Sequence, residues 1–150
     1  MLEFDEIALR RLRDDGQRYT SGRRRIVLTL AEAGRPLTIP MILAREPALA
    51  QSSVYRNLAV LEHAGLVSKI SLGDEHAHYE LGEALTDHHH HHHVCRTCGR
   101  VSDVDLPDAA ERALDRAVHD IAARLAFTVE SHRFDLVGVC GDCAAAAGPG

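Results

Sequence analysis

Gln51-Ser-Ser-Val-Tyr-Arg-Asn-Leu-Ala-Val-Leu-Glu-His-Ala64 runs into Gly65, and two short apolar stretches follow, 66–72 and 77–81. The first stretch reads as a helix, because Val54, Leu58 and Leu61 recur on one face. Ser52 or Ser53 is the expected N-cap and Gly65 the stop. The two apolar stretches read as β-strands around a turn at Gly73-Asp74-Glu75. A helix leading directly into a hairpin narrows the fold to a few candidates, and the segments upstream decide among them.

Those segments are helical. Residues 2–14 place Phe4, Ile7, Ala8 and Leu12 at helical spacing, and Asp15-Gly16 stops the run. Thr20 or Ser21 caps a second helix over 23–33, with Ile26, Val27 and Leu30 inward and Gly34-Arg35-Pro36 as its break. Thr38 caps a short third helix that carries Pro40 in its first turn, where a missing N–H costs nothing, and Pro47 ends it. Three or four short helices followed by a hairpin is the order of a winged helix-turn-helix, whose last helix before the wing enters the DNA major groove.

Downstream the texture changes. Residues 83–87 read as a hinge. Residues 94–104 read as strand around a Cys-x-x-Cys turn, 107–125 as a helix opened by Pro107, and 127–140 as one strand or two. The helix carries Ala110, Leu114, Val118, Ile121 and Leu125 on one stripe. The fold class is therefore α+β: a winged helix-turn-helix domain over 1–82, then a small α/β module over 88–143. The open sheet edge and apolar helix face of that module favour dimerisation. The Ala/Gly/Pro segment 144–150 reads as a disordered tail.

The chain has 150 residues, 45% hydrophobic and 26% charged, enough for two small cores. No apolar run can span a bilayer and no leader pattern is visible, so a cytoplasmic protein without a membrane partner is expected. Net charge is −5, but the acidity is uneven: residues 87–150 carry 6 Lys/Arg against 10 Asp/Glu, and residues 1–86 carry 11 against 12. Arg18, Arg23, Arg24 and Arg25 cluster in that near-neutral half, as a phosphate-binding patch requires.

Asp87-His-His-His-His-His-His-Val-Cys-Arg-Thr-Cys-Gly99 holds the densest chemistry. The histidine run is internal and leads into Cys95-x-x-Cys98, which is unlike an expression tag. Cys140-x-x-Cys143 contains the only other cysteines. Two thiolate pairs biting one ion give a closed tetrahedral site that suits structural Zn²⁺. A redox pair would need a thioredoxin-like βαβ context that is absent, and an iron–sulfur centre has no further support. On an extended strand His89, His91 and His93 face one way and His88, His90 and His92 the other, so two further metal sites can be built. Candidate partners are Glu83, Asp87, Asp103, Glu111, His132, His76 and His78. Such donors suit Zn²⁺, Fe²⁺, Mn²⁺ or Ni²⁺. Isolated His63 and His119 are read as ordinary surface or core residues.

Three segments together resemble the ferric uptake regulator family of bacterial metal-responsive repressors. They are Thr20-Ser-Gly-Arg23; Ser53-Val-Tyr-Arg-Asn-Leu58 with Leu61 and Gly65-Leu-Val67; and the histidine strand entering Cys95-x-x-Cys98-Gly99, with His132 eight residues before Cys140. The ordered match spans roughly residues 10–143. The resemblance implies that Tyr55 and Arg56 contact the major groove, that Ser52, Ser53 and Asn57 assist, and that Arg18 and Arg23 hold the DNA backbone. From the residues alone, a core aromatic is the alternative reading of Tyr55. The four cysteines match the family's structural zinc site. His89, His91 and His132 match a site in the dimerisation module, with Glu111 as fourth ligand although Ala110 holds the aligned place. Glu83, His90 and His92 match the regulatory site. Asp103, His76 or His78 would complete it, since Arg35-Pro36 stands where iron-sensing relatives have a histidine.

The function implied is that of a metal-dependent, homodimeric repressor of metal-uptake genes that binds a palindromic operator in double-stranded DNA and is not an enzyme. The imidazole-rich donor set favours Zn²⁺ over Fe²⁺ as the regulatory ion, with Mn²⁺ and Ni²⁺ as alternatives. Peroxide sensing through iron-dependent oxidation of a ligand histidine is the alternative within the family, with Glu83, His90, His92 and Asp103 as hosts. A zinc store with no DNA function is the alternative outside it. A zinc hydrolase is disfavoured, because no His-Glu-x-x-His helix is present.

Overall fold

The computed structural model describes residues 3–71, 76–86 and 89–149. The expected wing turn Gly73-Asp74-Glu75, Leu72, Asp87 and His88 lie outside the described residues. The chain divides into two compact units, the first running to His89 and the second beginning at His90.

The first unit opens with α1 (Glu3–Asp14), α2 (Ser21–Ala33), β1 (Leu37–Thr38), α3 (Ile39–Arg45) and α4 (Gln51–His63). It continues with β2 (Val67–Ile70), β3 (His78–Leu81) and α5 (Glu83–Thr86). The Thr20 hydroxyl accepts from the Arg23 N–H at the start of α2, and the Thr38 hydroxyl from the Met41 N–H at the start of α3. Each satisfies one of the donors a helix start leaves unpaired. The serine cap expected for α4 does not form. Ala50 holds the N-cap position without a side-chain bond, and Ser52 and Ser53 sit inside the first turn. β1, only two residues long, was hidden from the pattern. It pairs antiparallel with β3, which also pairs with β2, giving the order β1-β3-β2.

Ala8, Leu12, Ile26, Val27, Leu30, Ile42, Val54, Leu58 and Leu61 fill the core, joined by Leu66, Val67 and Tyr79 from the sheet. The segment read as a hinge begins as α5, and its Leu85 belongs to this same core. Gly82 precedes it for a steric reason. A Cβ there would lie 2.3 Å from the Gly65 carbonyl oxygen, while the Gly82 N–H donates to the Leu66 carbonyl at 2.9 Å.

The second unit contains β4 (His91–Cys95), β5 (Val101–Val104), α6 (Asp108–Leu125), β6 (Asp135–Gly138) and α7 (Gly141–Ala146). Its sheet order is β5-β4-β6: β4 pairs antiparallel with β5 and parallel with β6. Of the expected 127–140 strand, only Asp135–Gly138 is strand. The Ala-rich segment read as a disordered tail instead continues α7 through Ala146. Pro107 occupies the N-cap position of α6, and no α6 residue is buried. Ile121, Leu125, Phe127, Leu136, Val137 and Val139 are exposed in this unit.

Candidate metal centres and nucleic-acid interface

Strand register assembles the cysteines. The parallel β4–β6 pairing sets Cys95 opposite Gly138, which brings Cys140 to Cys95 two residues later. The Cys140 N–H donates to the Cys95 sulfur at 3.2 Å, and the Sγ atoms of Cys98 and Cys140 are 3.9 Å apart. All four Sγ atoms lie within 4.8 Å of one another, and all four cysteines are free thiols. The backbone N–H groups of Cys140 and Cys98 draw the Cys95 thiol down to about 5. Hydrogen bonding with Cys140 and Cys98 pushes Cys143 up to about 12. A soft tetrathiolate at the mouth of two knuckles fits Zn²⁺, with amide donors stabilising the thiolate charge.

On one face of β4, His91 is 1% exposed. Its Nε2 meets Glu111 Oε1 at 2.8 Å, its ring centroid is 6.0 Å from that of His132, and Phe134 packs edge-on at 5.6 Å. The carboxylate that reaches this cluster is therefore Glu111, while Ala110 is exposed. His89 falls within the first unit, where its Nδ1 pairs with the Glu83 carboxylate. Glu83, expected at the regulatory site, thus has an imidazole partner.

On the other face His92 is buried. The register sets it directly opposite Asp103 on β5 and Asp135 on β6, so one row across the sheet reads Asp103, His92, Asp135. His92 Nε2 lies 3.7 Å from Asp103 Oδ1, and His92 Nδ1 lies 3.4 Å from Asp135 Oδ1. His90 Nδ1 lies 3.8 Å from Asp103 Oδ2. The Arg133 guanidinium holds Asp135 Oδ2 at 2.9 Å. Two imidazoles thus converge on one carboxylate, a nitrogen and oxygen donor set suited to Zn²⁺, Fe²⁺ or Mn²⁺. Asp135 went unnoticed in the sequence, because only the parallel register reveals it.

The remaining regulatory candidates sit in the first unit. His78 is buried on β3, with its Nδ1 3.0 Å from the His76 carbonyl oxygen, and His76 is exposed. Burial, with help from Arg35 and His76, lowers the His78 pKa despite that hydrogen bond. Glu80, on the same strand, is a buried carboxylate that the sequence did not single out.

The first unit also presents α4. Val54, Leu58 and Leu61 are buried, whereas Ser52, Tyr55 and Arg56 face solvent. Tyr55 is 54% exposed, which removes the core-aromatic reading. Asn57 is half-buried, its amide against Gly22 at the start of α2. The arginine patch is smaller than its sequence suggests. Arg24 makes a two-pronged pair with the buried Asp5, Nε and Nη2 each donating at 3.0 and 2.9 Å, and the Tyr19 hydroxyl donates to the same carboxylate at 3.2 Å. Arg25 pairs with Glu46, which also accepts from the Thr29 hydroxyl. Arg23 donates to the Arg18 carbonyl and to Gln17 Oε1. Its role in the free chain is to brace the turn ahead of α2, while the Arg18 side chain stays exposed.

The profile of the ferric uptake regulator family matches residues 14–137. A ferric uptake regulation protein of Campylobacter jejuni is 33% identical over 140 residues, covering 88% of this chain and 83% of that one. The peroxide operon regulator of Bacillus subtilis is 30% identical over 141 residues, covering 91% and 90%. Among solved structures, a ferric uptake regulator from Pseudomonas aeruginosa with manganese superposes with a TM-score of 0.68 at 26% identity, covering 94% of this chain and 99% of that one.

Proposed function

Because the chain belongs to the ferric uptake regulator family, whose members are metal-responsive, DNA-binding transcriptional regulators and not enzymes, we propose that it is a homodimeric repressor whose grip on a palindromic operator depends on a divalent ion. One observation carries the reading: His90 and His92 turn to the same carboxylate, Asp103, on a face of β4 separate from the cysteines. We assign the regulatory ion to these three residues. In this reading Cys95, Cys98, Cys140 and Cys143 hold Zn²⁺ structurally, and the ligation energy is folding energy for the second unit. His91, Glu111 and His132, with His89 as the sequence suggests, hold a further ion.

The sequence also nominates Glu83, His76 and His78 for the regulatory ion. Replacing them one at a time measures what each adds to metal affinity. DNA contact is assigned to Tyr55 and Arg56, with Ser52, Ser53, Asn57, Arg18 and Arg23 in support.

Fe²⁺ is the proposed regulatory ion. Imidazole count alone favours Zn²⁺, but every thiolate belongs to the tetrathiolate, and the relatives above are named for ferric uptake and for a peroxide operon. When bound, the ion supplies charge and a fixed geometry that favour the DNA-competent conformer. The His90→Ala, His92→Ala double variant is expected to stay a folded dimer with its cysteine-bound zinc while losing metal-dependent operator binding. Retention of metal-dependent binding by that variant would remove the assignment.

Peroxide sensing is the second reading, favoured by the name of the Bacillus subtilis relative and by a thiolate-free donor set. Mass spectrometry of the Fe²⁺-loaded protein after peroxide tests it. A one-oxygen mass gain on His90 or His92 supports this reading, and unmodified histidines exclude it.

A further inference from the structure

We propose that Asp135 is a positioning residue for the regulatory ion: it holds the Nδ1 proton of His92 from behind, so that Nε2 is the nitrogen offered to the metal. This rests on the assignment of His90, His92 and Asp103 to that ion.

The two ring nitrogens of His92 face different carboxylates, Nε2 towards Asp103 at 3.7 Å and Nδ1 towards Asp135 at 3.4 Å. Only one carboxylate can belong to the metal side. Asp103 is approached by a second imidazole, His90, at 3.8 Å, whereas Asp135 is approached by the guanidinium of Arg133 at 2.9 Å. A cation against Asp135 leaves it a poor place for a divalent ion and a good place for an anchored acceptor. Asp135 Oδ1 is also buried and, among the described residues, accepts no hydrogen bond, so at 3.4 Å from His92 Nδ1 it has capacity left for that N–H. Neutral imidazole carries one proton and shares it between two tautomers. A fixed acceptor behind Nδ1 selects the tautomer with Nε2 free and makes that nitrogen the better donor, the arrangement seen where a carboxylate backs a metal-bound histidine. The β4–β6 register places the acceptor, because His92 and Asp135 are direct partners in the ladder.

The test uses the full-length protein with zinc in its cysteine site and Mn²⁺ as probe, free Mn²⁺ being read by its electron paramagnetic resonance. Asp135→Leu is expected to weaken Mn²⁺ binding about 10- to 100-fold. Asp135→Asn, whose carbonyl still accepts the proton, is expected to lose several-fold only, and it carries the test if the leucine variant loses its zinc or its fold. Long-range ¹H–¹⁵N spectra of the protein without Mn²⁺ add a readout that a merely structural role would not move. His92 should be protonated at Nδ1 in the wild type and mixed in Asp135→Leu. Wild-type Mn²⁺ affinity and an unchanged tautomer in both variants would overturn the proposal. If the His90→Ala, His92→Ala variant instead binds Mn²⁺ like the wild type, the site assignment itself fails, and that outcome is distinct.

Discussion

His78 is kept neutral by its burial on β3, with a pKa below the ordinary value of about 6.5. The unfolded chain therefore binds this proton first as pH falls. The contribution to stability is complete above about pH 6.5 and is lost as pH drops below it. Denaturant unfolding across that window should show stability falling with pH, and His78→Gln should flatten the slope. An unchanged slope would contradict the burial argument. Cys95 and Cys143 make a second residue-scale prediction. With Cys95 drawn down to about 5, it is already a thiolate near neutral pH, whereas Cys143, pushed up to about 12, still holds its proton. Zinc uptake by metal-free protein whose second unit is still folded by circular dichroism should release fewer than four protons, measurable from the buffer dependence of the binding enthalpy; release of four by that folded form would contradict it. These residues differ in how far the sequence exposes them. The Cys-x-x-Cys pairs are local motifs and are plain on first reading. The Glu111 contact with His91 was legible one position away from the aligned place, which Ala110 holds. Asp135 was not legible, because its partner is set by a parallel register that no local pattern encodes.

At the scale of elements, α4 has one face given to the core and one face left to solvent. Its buried stripe holds it in the core, and its opposite face displays Tyr55 and Arg56. Tyr55→Ala should change stability by less than about 0.5 kcal/mol, as for an exposed side chain outside the core. It should lower operator affinity by about 10-fold, the scale of one good base contact. Paired thermal unfolding and DNA-shift titrations check both, and a large stability loss with unchanged DNA binding would reverse the assignment. Helix ends were readable where a hydroxyl meets a free N–H, as at Thr20 and Thr38. Ser52 and Ser53 misled because either serine suits a cap, while the backbone turns into the helix at Ala50. The basic cluster misled for a related reason. Asp5 and Glu46 lie far away in sequence, yet they take up Arg24 and Arg25 once α1 and α3 pack on α2.

The molecule as a whole has two units with different chemistry, one displaying Tyr55 and Arg56 on α4 and the other carrying the histidines and Cys95 of β4. The second unit leaves Ile121, Leu125, Leu136 and Val137 exposed, an apolar surface unusual for a small unit acting alone. With the dimeric, DNA-binding character of the family, this supports self-association through that unit. Ile121→Glu with Leu125→Glu should convert a dimer to monomer in sedimentation equilibrium, and a variant that remains dimeric would move the interface elsewhere.

The central claim is that a divalent ion at His90, His92 and Asp103 and the operator DNA stabilise one another's binding. Such coupling is reciprocal: the factor by which metal tightens DNA must equal the factor by which DNA tightens metal. The most direct test is to measure both factors for Fe²⁺ under anaerobic conditions, with operator selected from a random DNA pool. Equal factors of about 5-fold or more are expected, and they should disappear together in the His90→Ala, His92→Ala variant. Operator affinity indifferent to the metal, with both ligands bound, would contradict that coupling.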